Sequence, residues 1–66
     1  MVIKYIDLIG ISTKSFEDAV TDALNEAAKT VKGIEWLEVQ RFGAVVKGGK
    51  VTEYQATVKL AFRVKR

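Results

Sequence analysis

The apolar positions of the chain define one helical segment by their spacing. Between residues 16 and 32, apolar side chains recur every three or four positions and form one stripe, which comprises Phe16, Ala19, Val20, Ala23, Leu24, Ala27 and Val31. This spacing predicts an amphipathic helix. Ser15 followed by Asp18 resembles a capping box, and Gly33 suits a helix end, so we expect a helix from about Phe16 to Lys32.

The rest of the chain reads as three strands. Residues 2–11 are rich in Ile, Val and Tyr, and residues 34–46 and 51–65 form two further strand-like runs. Gly48 and Gly49 lie between the last two runs and suit a two-residue turn with positive φ angles. The sequence therefore predicts a hairpin at the C-terminal end.

A turn at Gly48-Gly49 also predicts the register of this hairpin. On one face the aliphatic residues face each other, as Leu37 with Leu60 and Val39 with Val58. On the other face the expected pairs are Trp36 with Ala61, Glu38 with Lys59 as a charge pair, Gln40 with Thr57, and Phe42 with Gln55. Strict alternation would place Arg41 among the aliphatic residues, so we expect a bulge near Arg41 to Gly43, with Gly43 as the permissive residue.

Together these elements predict an α+β fold of β-α-β-β order in a single domain, residues 1–66. The helix joins the first two strands as a crossover, which makes them parallel, and the third strand is antiparallel to both. We expect a three-stranded sheet in the order 1-3-2 with the helix on one face. The other face of the sheet then has no cover from its own chain.

Composition indicates how such a small domain becomes stable. The chain has 66 residues, 48% hydrophobic, with no Pro, and lacks both Cys and His, which excludes a disulfide and disfavours a structural metal. Oligomerisation is the remaining way to stabilise the domain, unless the monomer packs unusually well.

No nucleophile motif is present, so we do not expect an enzyme. Without a signal peptide or a membrane-spanning stretch, a cytoplasmic location is expected.

Trp36, the single tryptophan, is the main candidate for function. It is expected on the uncovered face beside the small Ala61, where it would stack on a flat ligand or contact another subunit. Gln55 lies six residues along the strand from Ala61, which is about 20 Å at ~3.3 Å per residue. A three-ring ligand that contacts both residues would therefore have to lie between subunits.

The order of these features resembles the dodecins over essentially the full chain. The resemblance rests on "KYIDLIGIS" before the helix, "EWLEVQ" after it, "EYQATVKLAFR" at the end, and the step from Trp36 to Gln55. It implies a hollow homododecamer that binds flavins, riboflavin or flavin mononucleotide (FMN), at subunit interfaces for storage and photoprotection. It further implies that Trp36 stacks on the isoalloxazine ring, that two tryptophans sandwich a pair of flavins, and that Gln55 hydrogen-bonds the polar ring edge.

The resemblance is weaker where a phosphate would bind. Arg63 matches a basic position that some bacterial members use for FMN phosphate or coenzyme A, but Gly43 stands where a second arginine is expected. Arg41, or Lys65 and Arg66 at the end of the chain, are candidate substitutes. Glu38, beside Trp36 on the same face, completes the expected flavin contacts, and coenzyme A is a second candidate ligand.

Two other functions fit the same residues. A dodecin-like oligomer without flavin would use Trp36 only as a subunit contact. A small RNA-binding sheet would use Trp36 and Phe42 as stacking platforms, with the basic end "RVKR" for backbone contact. Glu38 on that face and the missing RNA-binding aromatic signature argue against RNA, so we expect neither nucleic-acid nor membrane partners.

Overall fold

The computed structural model describes residues 2–64. Its elements are β1 (Val2–Ser12), α1 (Phe16–Ala28), β2 (Ile34–Lys47) and β3 (Lys50–Val64). The sheet order is β1-β3-β2, and β3 is antiparallel to both of its neighbours. The predicted α+β fold with its 1-3-2 sheet is thereby confirmed. Within the described part of the chain, no helix is both long enough and apolar enough to cross a lipid bilayer.

The β2–β3 hairpin turns at the predicted glycines. Gly48 has φ 59° and Gly49 has φ 76°, a left-handed conformation that glycine adopts without steric cost. The tip of the hairpin extends beyond β1, because β1 ends at Ser12 opposite Tyr54. The molecule is consequently elongated, with a longest dimension of 51 Å.

The core lies between α1 and one face of the sheet. Three alanines of the predicted stripe, Ala19, Ala23 and Ala27, are buried against the centre of β3, where Ala56, Val58 and Leu60 are fully covered. Small side chains on the helix let its backbone approach the sheet closely. The side chains at the margins of the stripe, Val20 and Leu24, are only partly buried.

The start of α1 shows one half of the predicted capping box: Ser15 caps the helix, whereas its own backbone N–H donates to Ser12 Oγ at 3.5 Å and not to Asp18. The Ser15 hydroxyl accepts a hydrogen bond from the Asp18 backbone N–H at 2.9 Å, which satisfies one N–H that has no partner within the helix. The carboxylate of Asp18 in turn accepts a hydrogen bond from the buried hydroxyl of Ser12 at 2.7 Å. The same Ser12 oxygen accepts the backbone N–H of Lys14 at 2.9 Å. This network connects the end of β1 to the first turn of the helix.

The end of α1 differs from the prediction. The helix ends at Ala28, four residues before Lys32, and Gly33 takes a positive φ only after a further irregular stretch. Thr30 and Val31 are β-branched residues of low helix propensity, and their backbone N–H groups both bond to the Ala27 carbonyl. The last turn therefore closes early.

The predicted hairpin register is correct from Trp36 to Val39 and then shifts. The pairs Trp36 with Ala61 and Val39 with Val58 are followed by Arg41 with Thr57, so Gln40 is the extra residue of a bulge. The bulge was expected nearer Gly43, whose φ is not positive, and Gln40 does not pair with Thr57 as predicted. The shift moves Arg41 off the aliphatic face, as anticipated.

The same shift corrects the predicted position of Phe42. Phe42 pairs with the buried Ala56 instead of Gln55, which places it on the helix side of the sheet. Its ring lies 4.9 Å from that of Phe16, which also packs at 4.9 Å from Tyr54. Phe42 therefore belongs to an aromatic cluster beside the helix start and not to the face of Trp36.

Candidate functional site

The sheet face turned away from α1, here called the open face, has no cover from the described part of the chain. Strand pairing and alternation assign to it Ile3, Tyr5, Asp7, Ile9 and Ile11 of β1, Trp36, Glu38, Arg41 and Gly43 of β2, and Gln55, Thr57, Lys59, Ala61 and Arg63 of β3. Its large apolar and aromatic residues, Ile3, Tyr5, Ile9, Ile11 and Trp36, are between 43% and 60% exposed. An apolar surface of this kind is typical of a ligand or subunit interface.

Trp36 lies on the open face, as predicted, and outside the protomer core. It pairs with Ala61, which is 1% exposed, whereas the Trp36 side chain is 46% exposed. Tyr5, which pairs with Ala61 from the other side, contacts the indole at 5.7 Å in an edge arrangement of 89°. Two neighbouring residues thus hold the indole in place while nearly half of its surface stays accessible.

Charged residues surround this aromatic pair. The Lys59 amino group lies 5.1 Å from the centroid of the Tyr5 ring, a cation–π contact. Glu38 and Asp7 face Lys59 from β2 and β1, so the predicted pairing of Glu38 with Lys59 is confirmed. Glu38 and Lys59 nevertheless do not form a salt bridge within residues 2–64. The positive charge of Lys59 is directed to the aromatic ring.

Arg63 lies at the Trp36 end of the open face and contacts a residue that the sequence did not indicate. Its Nε donates to both carboxylate oxygens of Glu35, at 2.7 and 2.6 Å. Both side chains are partly exposed, 40% for Arg63 and 45% for Glu35. Strict alternation assigns Glu35 to the face opposite Trp36, but the register is irregular between Ile34 and Trp36. The irregularity accounts for the missed contact.

Gln55 is far from Trp36 within the protomer. It is half-buried and pairs with Gly43 on one side and Ile11 on the other. Ala61, which faces Trp36, lies six residues along β3 from Gln55, about 20 Å at ~3.3 Å per residue. Arg41 faces Thr57 between these two ends. Lys65 and Arg66 lie outside the described residues.

The surface also has a groove away from the predicted site residues. A groove of about 410 Å³ runs between β1 and α1, lined by Leu8, Ile9, Gly10, Ile11, Asp22, Ala23, Asn25, Glu26 and Lys29. It lies at the edge of the sheet and includes none of the predicted site residues. Among residues 2–64, no group of three or more His, Cys, Asp or Glu side chains is placed to hold a metal ion.

Comparison with known proteins agrees with this architecture. The chain matches the family model of the dodecins over residues 2–65, so it belongs to the dodecin family. It is 33% identical over 63 residues to a dodecin of Thermus thermophilus, a match that covers 96% of this chain and 91% of that protein. The resemblance inferred from the sequence is thereby confirmed.

Solved structures give the same result at the level of the fold. A crystal structure of a Thermus thermophilus protein superposes with a TM-score of 0.93 at 32% identity, covering 98% of this chain and 96% of the other. The calcium dodecin of Mycobacterium tuberculosis, described with a novel calcium-binding site, has a TM-score of 0.86 at 30% identity, covering 98% and 93%. Members of this family are binding proteins that form multimers.

Proposed function

We propose that this protein binds flavin, riboflavin or FMN, between the subunits of a homododecamer and thereby stores the flavin and protects it from light. Trp36 stacks on the isoalloxazine ring, and paired tryptophans enclose a pair of flavins. Gln55, Glu38, Arg41 and Arg63 supply polar contacts, and coenzyme A is a second candidate ligand. The protein acts in the cytoplasm as a binding protein without catalytic activity, and its partners are its own copies and the flavin.

The exposure of Trp36 is the observation that carries this proposal. An indole that is 46% exposed, on a face that its own chain leaves open, offers one surface for offset stacking. Tyr5 contacts the indole edge-on, which limits its rotation before a ligand arrives. Ala61, which is 1% exposed, lies between these two residues in the sheet, and its small side chain lets the two rings meet over β3. A flat, electron-poor ring fits this arrangement, and contact with an electron-rich indole would quench its excited state.

The separation of Trp36 and Gln55 supports a site between subunits. An amide side chain both donates and accepts hydrogen bonds, which suits the polar edge of a flavin. At about 20 Å along the strand, however, Gln55 of one protomer lies beyond the reach of a three-ring ligand stacked on Trp36 of the same protomer. The two residues serve one flavin only if different subunits contribute them.

The shape of the protomer supports assembly. A compact chain of this length has a radius of gyration of about 11 Å, whereas the observed value is 13.5 Å. The excess reflects the long hairpin, whose side chains Val46 and Val51 are 62% and 49% exposed. Together with the apolar open face, this surface favours contacts with further copies. The number twelve follows from the family resemblance.

The placement of Phe42 disfavours the RNA-binding alternative. That function requires Trp36 and Phe42 as two platforms on one face, but Phe42 packs against Phe16 on the helix side. The aromatic pair that remains on the open face, Trp36 and Tyr5, packs edge-on at 89° and does not present two parallel platforms for successive bases.

Titration with flavins tests the proposed function. Because Trp36 is the only tryptophan, its emission reports this site alone. We expect riboflavin or FMN to quench that emission in protein whose native mass is that of a dodecamer. A monomer with unchanged Trp36 emission would contradict the proposal, and a dodecamer without quenching would favour the structural alternative. Salt-sensitive binding of RNA would favour the other alternative.

A further inference from the structure

We infer that Glu35 sets the ligand preference of the Trp36 site by occupying Arg63, so that this protein favours the uncharged riboflavin over the phosphorylated FMN. The inference rests on the proposed flavin-binding function. Glu35 lies outside the predicted site and contacts Arg63, and the two flavins differ in the charge that they bring to this contact.

Arg63 is within reach of a ligand on Trp36. On β3 it lies two residues beyond Ala61, the residue that faces Trp36, which is about 7 Å along the strand. A guanidinium group is the side chain best suited to bind phosphate oxygens in pairs. From β1 the residue opposite Arg63 is Ile3, so that strand contributes no second cation at this level of the sheet.

Glu35 already provides Arg63 with the kind of partner that a phosphate would be. The carboxylate accepts from Arg63 Nε through both of its oxygens, at 2.7 and 2.6 Å. The pair is close to neutral, so Arg63 attracts a second anion less strongly than an unpaired arginine would. A phosphate group carries a charge of about −1.5 to −2 at pH 7. The phosphate must either displace Glu35 or share Arg63 with it. Riboflavin has no phosphate group and requires neither change.

The exposure of both side chains limits the size of this effect. Arg63 is 40% and Glu35 45% exposed, so water screens their attraction and Glu35 can move aside. The expected result is therefore a preference and not an exclusion of FMN. We expect removal of the Glu35 charge to improve FMN affinity by about tenfold, equal to about 1.4 kcal/mol, with little change for riboflavin.

The test compares riboflavin and FMN binding to the assembled protein by quenching of Trp36 emission. The variants are Glu35→Gln and Glu35→Ala, each checked for an unchanged native mass and melting temperature. Glu26→Gln is the matched control, because Glu26 is also exposed and ion-paired, with Lys29 at 2.8 Å, but lies on the helix. We expect wild type to bind riboflavin at least as tightly as FMN and both Glu35 variants to shift the ratio of the two dissociation constants about tenfold toward FMN.

The outcomes separate this inference from the proposed function. Adding Arg63→Gln to Glu35→Gln should remove the gain in FMN affinity. The inference is overturned if Glu35→Gln changes both ligands equally, if Glu26→Gln produces the same shift, or if wild type prefers FMN tenfold or more. In each of these cases flavin binding itself stands. If neither flavin quenches Trp36 in wild type, the proposed function fails and this inference fails with it.

Discussion

Gly10 of β1 and Ala19 of α1 lie so close together that no side chain fits between them. A Cβ atom on Gly10 would lie 2.8 Å from the carbonyl carbon of Ala19 and closer still to its oxygen. The obstacle is helix backbone, which cannot turn aside as a flexible side chain would. Gly10 therefore determines how closely the helix packs on the sheet.

Substitution of Gly10 should destabilise the protein. We expect Gly10→Ala to lower the free energy of unfolding by about 1–3 kcal/mol or more, because the helix must move away from β1. Gly43→Ala is the matched control, since a Cβ there meets nothing within 4 Å and its φ is not positive. Thermal and denaturant unfolding measure both variants. Equal melting temperatures would show that the helix adjusts without cost.

Removal of the indole should weaken flavin binding and leave the fold intact. We expect Trp36→Ala to reduce affinity by about 1–3 kcal/mol, the usual range for loss of an aromatic stacking partner, measured by the fluorescence of the flavin itself. Phe42→Leu is the control, because Phe42 lies on the other side of the sheet. Native mass should be unchanged in both variants. Dissociation of the Trp36→Ala assembly would instead identify Trp36 as a subunit contact.

Tyr5 should contribute to flavin affinity through its contact with Trp36. Its ring lies edge-on to the indole at 5.7 Å, a contact worth about 0.5–1.5 kcal/mol. We expect Tyr5→Leu to weaken flavin binding by up to about tenfold, because the free indole becomes less ordered. Tyr5→Phe keeps the ring and should bind like wild type. Equal affinity of all three proteins would show that Trp36 is positioned without Tyr5.

The Ser15 cap should contribute measurably to stability. Ser15→Ala removes the acceptor for the Asp18 N–H at 2.9 Å, and we expect a loss of about 1 kcal/mol in the free energy of unfolding. Ser15→Asp restores an acceptor and adds a charge that favours the helix N-terminus, so its stability should be close to wild type. Urea unfolding compares the three proteins. A fully stable Ser15→Ala would indicate that the Ser12 network holds the first turn alone.

Local sequence patterns were sufficient for most of the fold. The apolar stripe defines the helix because its period of 3.6 residues matches helical geometry, and Gly48 and Gly49 define the hairpin because few other residues adopt positive φ. Once the turn is known, the pairing of Trp36 with Ala61 follows by counting. The end of the helix was harder to predict from the sequence, because the apolar Val31 extends the pattern beyond the last helical turn.

The bulge marks the limit of what alternation predicts. One extra residue at Gln40 moves Phe42 to the opposite face, and several positions from Gln40 to Gly43 would have satisfied the pattern of hydrophobic residues equally well. Only the structure places the bulge at Gln40, where it brings Phe42 into contact with Phe16. The contact between Glu35 and Arg63 was missed for a similar reason. It requires an irregularity in β2 that no local residue type indicates.

The sequence by itself determined the element order, the turn and the location of Trp36 on an uncovered face, because these depend on local geometry and on the two periods of side-chain direction. It determined the strand order through the helical crossover between the first two strands. Only the tertiary structure decided which face Phe42 occupies, which carboxylate holds Arg63 and how Tyr5 supports the indole. These contacts join residues distant in sequence. They depend on the exact offset between strands, which local residue types do not specify.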